Sequence, residues 1–132
     1  MQVDWASIVP EVTLRPAQIE ALNETMDAIE SGSNVVFIQA PTGVGKSIIG
    51  LALARYYGSA HIVTPQRALQ DQMRRWDGVK VMKGRANYAC LIEPSLKADE
   101  APCTLDPDVR QESPDTCSDY ACPFYQALSA AM

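Results

Sequence analysis

Ala40-Pro41-Thr42-Gly43-Val44-Gly45-Lys46-Ser47 decides how this chain is read. An apolar run, Val35-Val36-Phe37-Ile38, precedes it, and Ile48-Ile49-Gly50-Leu51-Ala52-Leu53-Ala54 follows. Strand, glycine loop and helix in that order are what a phosphate-binding loop requires. Gly43 and Gly45 permit backbone angles that a Cβ would forbid, so several N–H groups can converge on one anion. The helix behind them points its positive end at the same place. Lys46 is then placed to reach the β- and γ-phosphates of ATP, and the Ser47 hydroxyl to ligate Mg²⁺. These two are the candidate catalytic residues, and with Pro41, Thr42, Gly43, Val44 and Gly45 they form the nucleotide-binding loop. The general pattern places a glycine where this chain has Ala40, five positions before Gly45. The plainer alternative, a glycine turn between buried elements, leaves the Lys46 charge at the mouth of an apolar helix without a purpose.

The 132 residues suffice for one modest domain with a core. A complete nucleotide-hydrolysing lobe, with several parallel strands wrapped by helices, usually needs more. Charged residues at 20% and apolar ones at 47% describe a globular chain, not a disordered one. The net charge of -5 by itself argues against a general nucleic-acid binder. The distribution of charge says more than the sum. Residues 67–85 hold six of the eleven basic side chains, Arg67, Arg74, Arg75, Lys80, Lys83 and Arg85, opposed only by Asp71 and Asp77. A basic band in a phosphate-loop protein can hold a nucleic-acid backbone; on charge alone a solvated helix face is an equal alternative. Residues 93–119 carry eight acids against Lys97 and Arg110. Met1 to Pro10 contains Asp4 and lacks an apolar run long enough for a signal peptide or membrane span. The expectation is a reducing cytoplasm with no membrane partner, where four cysteines are more readily metal ligands than disulfides.

In chain order, Pro16 suits the first turn of a helix. Ile19, Leu22, Met26 and Ile29 recur at helical spacing, with Glu20, Glu24, Asp27 and Glu30 facing away, so residues 16–31 read as an amphipathic helix stopped by Gly32. Val35 to Gln39 reads as a buried strand, residues 46–57 as a helix ended by Gly58, and Ala60 to Thr64 as a second strand. Two strands joined by a helix make a right-handed crossover with a parallel pair. His61, the single histidine, reads as structural. Residues 66–75 read as a helix with Leu69 and Met73 inward, and Val79 to Met82 as a short third strand. Residues 90–123 contain all four cysteines, several prolines and many acids without a period, so a metal site is the obvious way to hold them. A last helix is expected over 124–131.

Two further groups carry chemistry. Gln18, in Arg15-Pro16-Ala17-Gln18, can both donate and accept and so can pair with the N6 and N7 edge of adenine; with the phosphate loop downstream, Arg15 and Gln18 join the candidate nucleotide-binding residues. Four thiolates, Cys90, Cys103, Cys117 and Cys122, suit either Zn²⁺ or an iron–sulfur cluster. Their gaps are 12, 13 and 4 residues, and zinc sites usually show closely spaced pairs, which favours the cluster.

Arg15 to Gln18, then Ala40 to Ser47, then Thr64-Pro65-Gln66-Arg67-Ala68-Leu69-Gln70-Asp71-Gln72 resemble, in this order, the motifs of superfamily 2 helicases, where alanine at the Ala40 position is a usual variant. Lys83-Gly84-Arg85-Ala86-Asn87-Tyr88-Ala89-Cys90 resembles the approach to the iron–sulfur domain of the DinG and XPD helicases, with Cys90 as first ligand. Cys122-Pro123-Phe124-Tyr125 resembles its exit. The resemblance covers about residues 12–126 and lies nearer the bacterial DinG side, through Thr64, Leu69, Gln70 and Gln72. It implies an α/β fold, with part of a RecA-like motor domain (a parallel sheet with flanking helices) over residues 1–83 and a cysteine-rich iron–sulfur insertion over 84–132. It also implies ATP-driven unwinding with 5′→3′ polarity, a [4Fe–4S] cluster held by the four cysteines, and contact of Thr64 to Gln72 with single-stranded or forked DNA. The nucleic-acid candidates are therefore Thr64, Gln66, Arg67, Gln72, Arg74, Arg75, Lys83 and Arg85.

A helicase also needs an acidic pair at the end of a second apolar strand to hold Mg²⁺ and orient water. Asp99-Glu100 does not qualify: Ser95-Leu96-Lys97-Ala98 is no buried strand, and the pair lies between cysteines. The arginine finger and second motor lobe are not found either, so the chain is expected to be the N-terminal part of a larger helicase, not competent alone, with the rest of the motor as partner. Two other classes stay open. A non-catalytic, metal-stapled module for nucleic acid or a helicase partner would bind without regard to Lys46. A small-molecule kinase with a zinc loop would phosphorylate a metabolite and ignore DNA.

Overall fold

The computed structural model describes residues 3–112, 114–118 and 121–132. Met1 and Gln2, at the start of the stretch read for a leader, lie outside the described residues, as do Ser113, Asp119 and Tyr120 of the cysteine-rich stretch. The chain divides into two compact units, Met1–Val63 and Thr64–Met132.

The first unit is built on three helices, α1 (Trp5–Ile8), α2 (Pro16–Glu30) and α3 (Lys46–Tyr57), with α3 packed against the other two. Pro16 fills the first helical position of α2, where its missing N–H costs nothing. The buried face of α2 is Gln18, Leu22, Thr25 and Met26, one position round from the stripe expected from Ile19. Ile19 itself is exposed. A buried glutamine and threonine need partners. Thr25 Oγ1 donates back to the Ala21 carbonyl at 2.7 Å, and Gln18 is spent on the glycine loop described below. Leu22 of α2 and Ile49, Leu51 and Ala52 of α3 are buried, as are Trp5 and Val9 near the N-terminal end. The Trp5 indole N–H donates to Asn23 Oδ1 at 2.8 Å while its ring lies 5.5 Å from that of Tyr56. The helix α3 runs over the residues expected and stops at Gly58, whose φ of 73° is the left-handed cap that glycine adopts freely.

The expected parallel sheet is not there. Among the described residues no β-strand occurs, and the α/β, RecA-like class is corrected to a helical chain with long extended connections. The three runs read as strands, 35–39, 60–64 and 79–82, carry no regular structure. The physical reason is that a strand exists only through its ladder partners. No backbone hydrogen bond joins these runs to one another. Side chains of the first two are largely uncovered, Phe37 being 93% and Val63 92% exposed, whereas Val79, Val81 and Met82 of the third are half-buried. The extended pair closest to a ladder is the isolated antiparallel bridge between Ala89 and Lys97.

The second unit holds α4 (Arg67–Met73), a 3₁₀ turn at Arg85–Asn87, two single-turn helices, α5 (Pro102–Leu105) and α6 (Val109–Glu112), and α7 (Pro123–Ala131). Its apolar centre is small and unusual in kind. Cys90, Ala98, Ala101, Cys117 and Phe124 are buried, with Met73 under α4. The Ala89–Lys97 bridge is extended by bonds from Cys90 N–H to the Leu96 carbonyl and from Ala98 N–H to the Tyr88 carbonyl, which fixes the turn that carries Cys90.

Candidate nucleotide site and thiol cluster

Residues 40–47 form a tight loop that feeds directly into α3. Gly43 and Gly45 have φ of 83° and 87°, a region that costs any residue with a Cβ about 1–2 kcal/mol. At Gly43 a Cβ would meet nothing within 4 Å. At Gly45 it would sit 2.5 Å from Gln18 Nε2, so here glycine is required both by angle and by space.

Gln18 is 3% exposed and uses both ends of its amide. Its Oε1 accepts from the Arg15 backbone N–H at 2.8 Å, and its Nε2 donates to the Val44 carbonyl at 2.8 Å and the Gly45 carbonyl at 3.4 Å. Arg15 donates from its guanidinium to the Gly43 carbonyl at 2.9 Å. The start of α2 therefore clamps the outward carbonyls of the loop. Sequence reasoning assigned Arg15 and Gln18 to the nucleotide but missed this clamp, because it needs the 26-residue contact between Gln18 and Val44. Lys46 is exposed, and its ammonium donates to the Ala40 and Pro41 carbonyls at 2.8 and 3.0 Å. Ser47 follows in the first turn of α3.

The nucleic-acid candidates all fall in the second unit. Gln66, Arg67, Gln72, Arg74 and Arg75 are exposed, as is Lys80. Thr64 is half-buried, its hydroxyl accepting from the Gln66 N–H at 3.2 Å and its carbonyl from Gln70 Nε2 at 3.1 Å. Lys83 forms an ion pair with Asp71 at 2.7 Å, which holds that carboxyl below its usual range. Arg85 is turned into the second unit: it donates to Thr104 Oγ1 and to the Tyr125 hydroxyl, and its guanidinium carbon lies 4.5 Å from the centre of the Phe124 ring.

The four cysteines are free thiols. Burial pushes the Cys117 thiol up, and Cys103, Cys122 and Cys90 each add to the rise, so all three stand within electrostatic reach of it. Among the described residues, however, no three His, Cys, Asp or Glu side chains close on one point as a single ion needs. The expected zinc or [4Fe–4S] ligand group is therefore not formed among the described residues. A cavity of about 580 Å³ opens beside Cys103 and Cys117, walled by Arg110 and Tyr125.

A glycine loop with left-handed backbone angles running into a helix is the local form that a phosphate-binding loop takes. The chain belongs to the ResIII family, described as type III restriction enzyme, res subunit, whose model matches residues 11–100. That match makes it a helicase-like domain of the superfamily 1 and 2 N-terminal kind, an ATP-dependent nucleic-acid motor type. No curated protein and no solved structure matches. No helix among the described residues is long and apolar enough to cross a membrane.

Proposed function

We propose that this chain binds MgATP on residues 40–47 and single-stranded DNA on the basic band of residues 64–80, as part of an iron–sulfur helicase of the DinG and XPD kind, nearest DinG, with 5′→3′ polarity and in a reducing cytoplasm. The observation that carries the nucleotide reading is the clamped glycine loop: Arg15 and Gln18 donate to the carbonyls of Gly43, Val44 and Gly45. Lys46 would exchange its two carbonyl partners for the β- and γ-phosphates, gaining charge-assisted bonds in place of neutral acceptors. Ser47 would ligate the Mg²⁺ that travels with the nucleotide. Arg67, Arg74, Arg75 and Lys80 would supply exposed positive charge for a phosphate backbone, with Thr64, Gln66 and Gln72 as uncharged donors. Lys83 and Arg85, whose charges are already engaged, would contribute less.

Cys90, Cys103, Cys117 and Cys122 would hold a [4Fe–4S] cluster. The support is that all four are free thiols in a spacing that departs from paired zinc ligands. Such a cluster supplies a rigid covalent staple to a segment whose own apolar core is small.

The DNA reading is tested by anisotropy of a labelled single-stranded oligonucleotide. Arg67→Glu, Arg74→Glu and Arg75→Glu together should weaken binding at moderate salt by more than about tenfold and flatten its salt dependence. Affinity and salt slope equal to the unaltered chain's would assign the band to solvent.

A further inference from the structure

We propose that Gln18 is a positioning residue for the phosphate loop and not a reader of the base, so that what it contributes to nucleotide binding goes to the phosphate chain that every nucleoside triphosphate shares. The inference rests on the reading of residues 40–47 as a nucleotide site.

A glutamine that selects adenine must accept from N6–H and donate to N7 with one amide. Both ends of the Gln18 amide are already engaged inside the chain. The Arg15 backbone N–H can only donate, and it takes Oε1 at 2.8 Å. The Val44 and Gly45 carbonyls can only accept, and they take Nε2 at 2.8 and 3.4 Å. The partners thus fix which end of the amide is which. The side chain is 3% exposed, and a Cβ on Gly45 would already fall 2.5 Å from Nε2, so the loop leaves no room for a ring against the amide. To meet a base, Gln18 would have to leave its burial and exchange the carbonyls for the purine edge, one pair of hydrogen bonds for another, with little net gain.

A helix cap accounts for only half of this. Gln18 stands at the third position of α2, and its bond from the Arg15 N–H closes the helix start. The bonds to carbonyls 26 and 27 residues downstream serve the loop. A peptide unit is planar and trans, so its N–H points opposite to its C=O. Holding the carbonyls of Gly43, Val44 and Gly45 therefore also sets the directions of the Val44, Gly45 and Lys46 N–H groups. Among the described residues none of these three donates a backbone hydrogen bond. On the nucleotide reading they are donors to the phosphate chain, and Gln18 acts on the ligand through them.

The test is calorimetric titration of MgATP, MgGTP and magnesium tripolyphosphate into the unaltered chain, Gln18→Ala and Gln18→Met, with the melting temperature of each. Methionine fills the glutamine's space but has no N–H to give the carbonyls. Both variants should weaken all three probes by a common factor of at least about fivefold, because a loop no longer pre-set must be ordered by the ligand. Gln18→Met should do so with the smaller fall in melting temperature. Weaker MgATP binding with tripolyphosphate affinity unmoved would show that Gln18 reads the base and overturn the proposal. Full affinity in Gln18→Met would reduce Gln18 to a packing residue, and an unaltered chain that binds MgATP but neither MgGTP nor tripolyphosphate would show a site governed by the base; each overturns it while leaving the nucleotide site in place. An unaltered chain that binds none of the three would instead overturn the nucleotide reading, and this inference with it.

Discussion

Replacing Gly45 with alanine should damage the protein more than the same change at Gly43, although the two glycines have nearly the same φ. Both substitutions force a Cβ into the left-handed region, at about 1–2 kcal/mol each. At Gly43 nothing lies within 4 Å, and that is the whole cost. At Gly45 the new carbon would fall 2.5 Å from Gln18 Nε2. An amide end can swing away cheaply on a surface, but Gln18 is 3% exposed and bonded at both ends. Moving it takes the buried Gln18 amide off its partners, at about 1–3 kcal/mol. Gly45→Ala should therefore cost about 2–5 kcal/mol in all, a large part of an ordinary domain's stability. The assay is urea unfolding followed by Trp5 fluorescence in a Trp76→Phe background. A Gln18→Ala partner completes the cycle: with the amide gone, Gly45→Ala should cost only its backbone strain, giving a coupling of about 1–3 kcal/mol. Equal costs at the two glycines, or additive effects of Gly45→Ala and Gln18→Ala, would refute the clamp.

Two other expectations follow from particular contacts. The Arg55 guanidinium, bonded through both outer nitrogens to the Glu11 carboxylate, lowers the Glu11 pKa from 4.5 to about 2. A depressed carboxylate stabilises the fold above its unfolded pKa and loses that contribution as pH falls, so Glu11→Gln should lower the melting temperature slightly at neutral pH and match the unaltered chain by about pH 2. The pair is at the surface and its effect should shrink in salt; a deficit in the variant that persists undiminished at the acid end would contradict it. Cys90→Ser should open residues 84–123 of the iron-loaded chain to protease while α2 and α3 stay protected, and undiminished resistance there would sink the metal staple.

What was legible in the sequence was what is local. The α3 bounds and its stop at Gly58 follow from a glycine loop, an apolar run and a glycine cap, all within a short stretch. The existence of α2 was equally plain, but its inward face was not. Hydropathy selected Ile19, whereas the structure buries Gln18, whose polarity is satisfied by carbonyls that lie 26 and 27 residues away. The strands failed for the same reason in a stronger form. Val35 to Ile38 and Ile62 to Val63 have the side chains of strands, but ladder pairing is a property of two segments, and these lack it. In the cysteine-rich stretch the thiols were visible at once. The contact of Arg85 with the aromatic pair Phe124 and Tyr125 was not, since Arg85 meets Tyr125 across 40 residues and no periodicity announces it.

The most direct test of the central claim is calorimetric titration of MgATP into the unaltered chain and into Lys46→Ala. Saturable binding by the first, weakened at least about tenfold in the second by loss of a charged phosphate contact, is the expected result. Absence of binding, or equal affinity in the two proteins, would contradict the assignment of residues 40–47 as a nucleotide site.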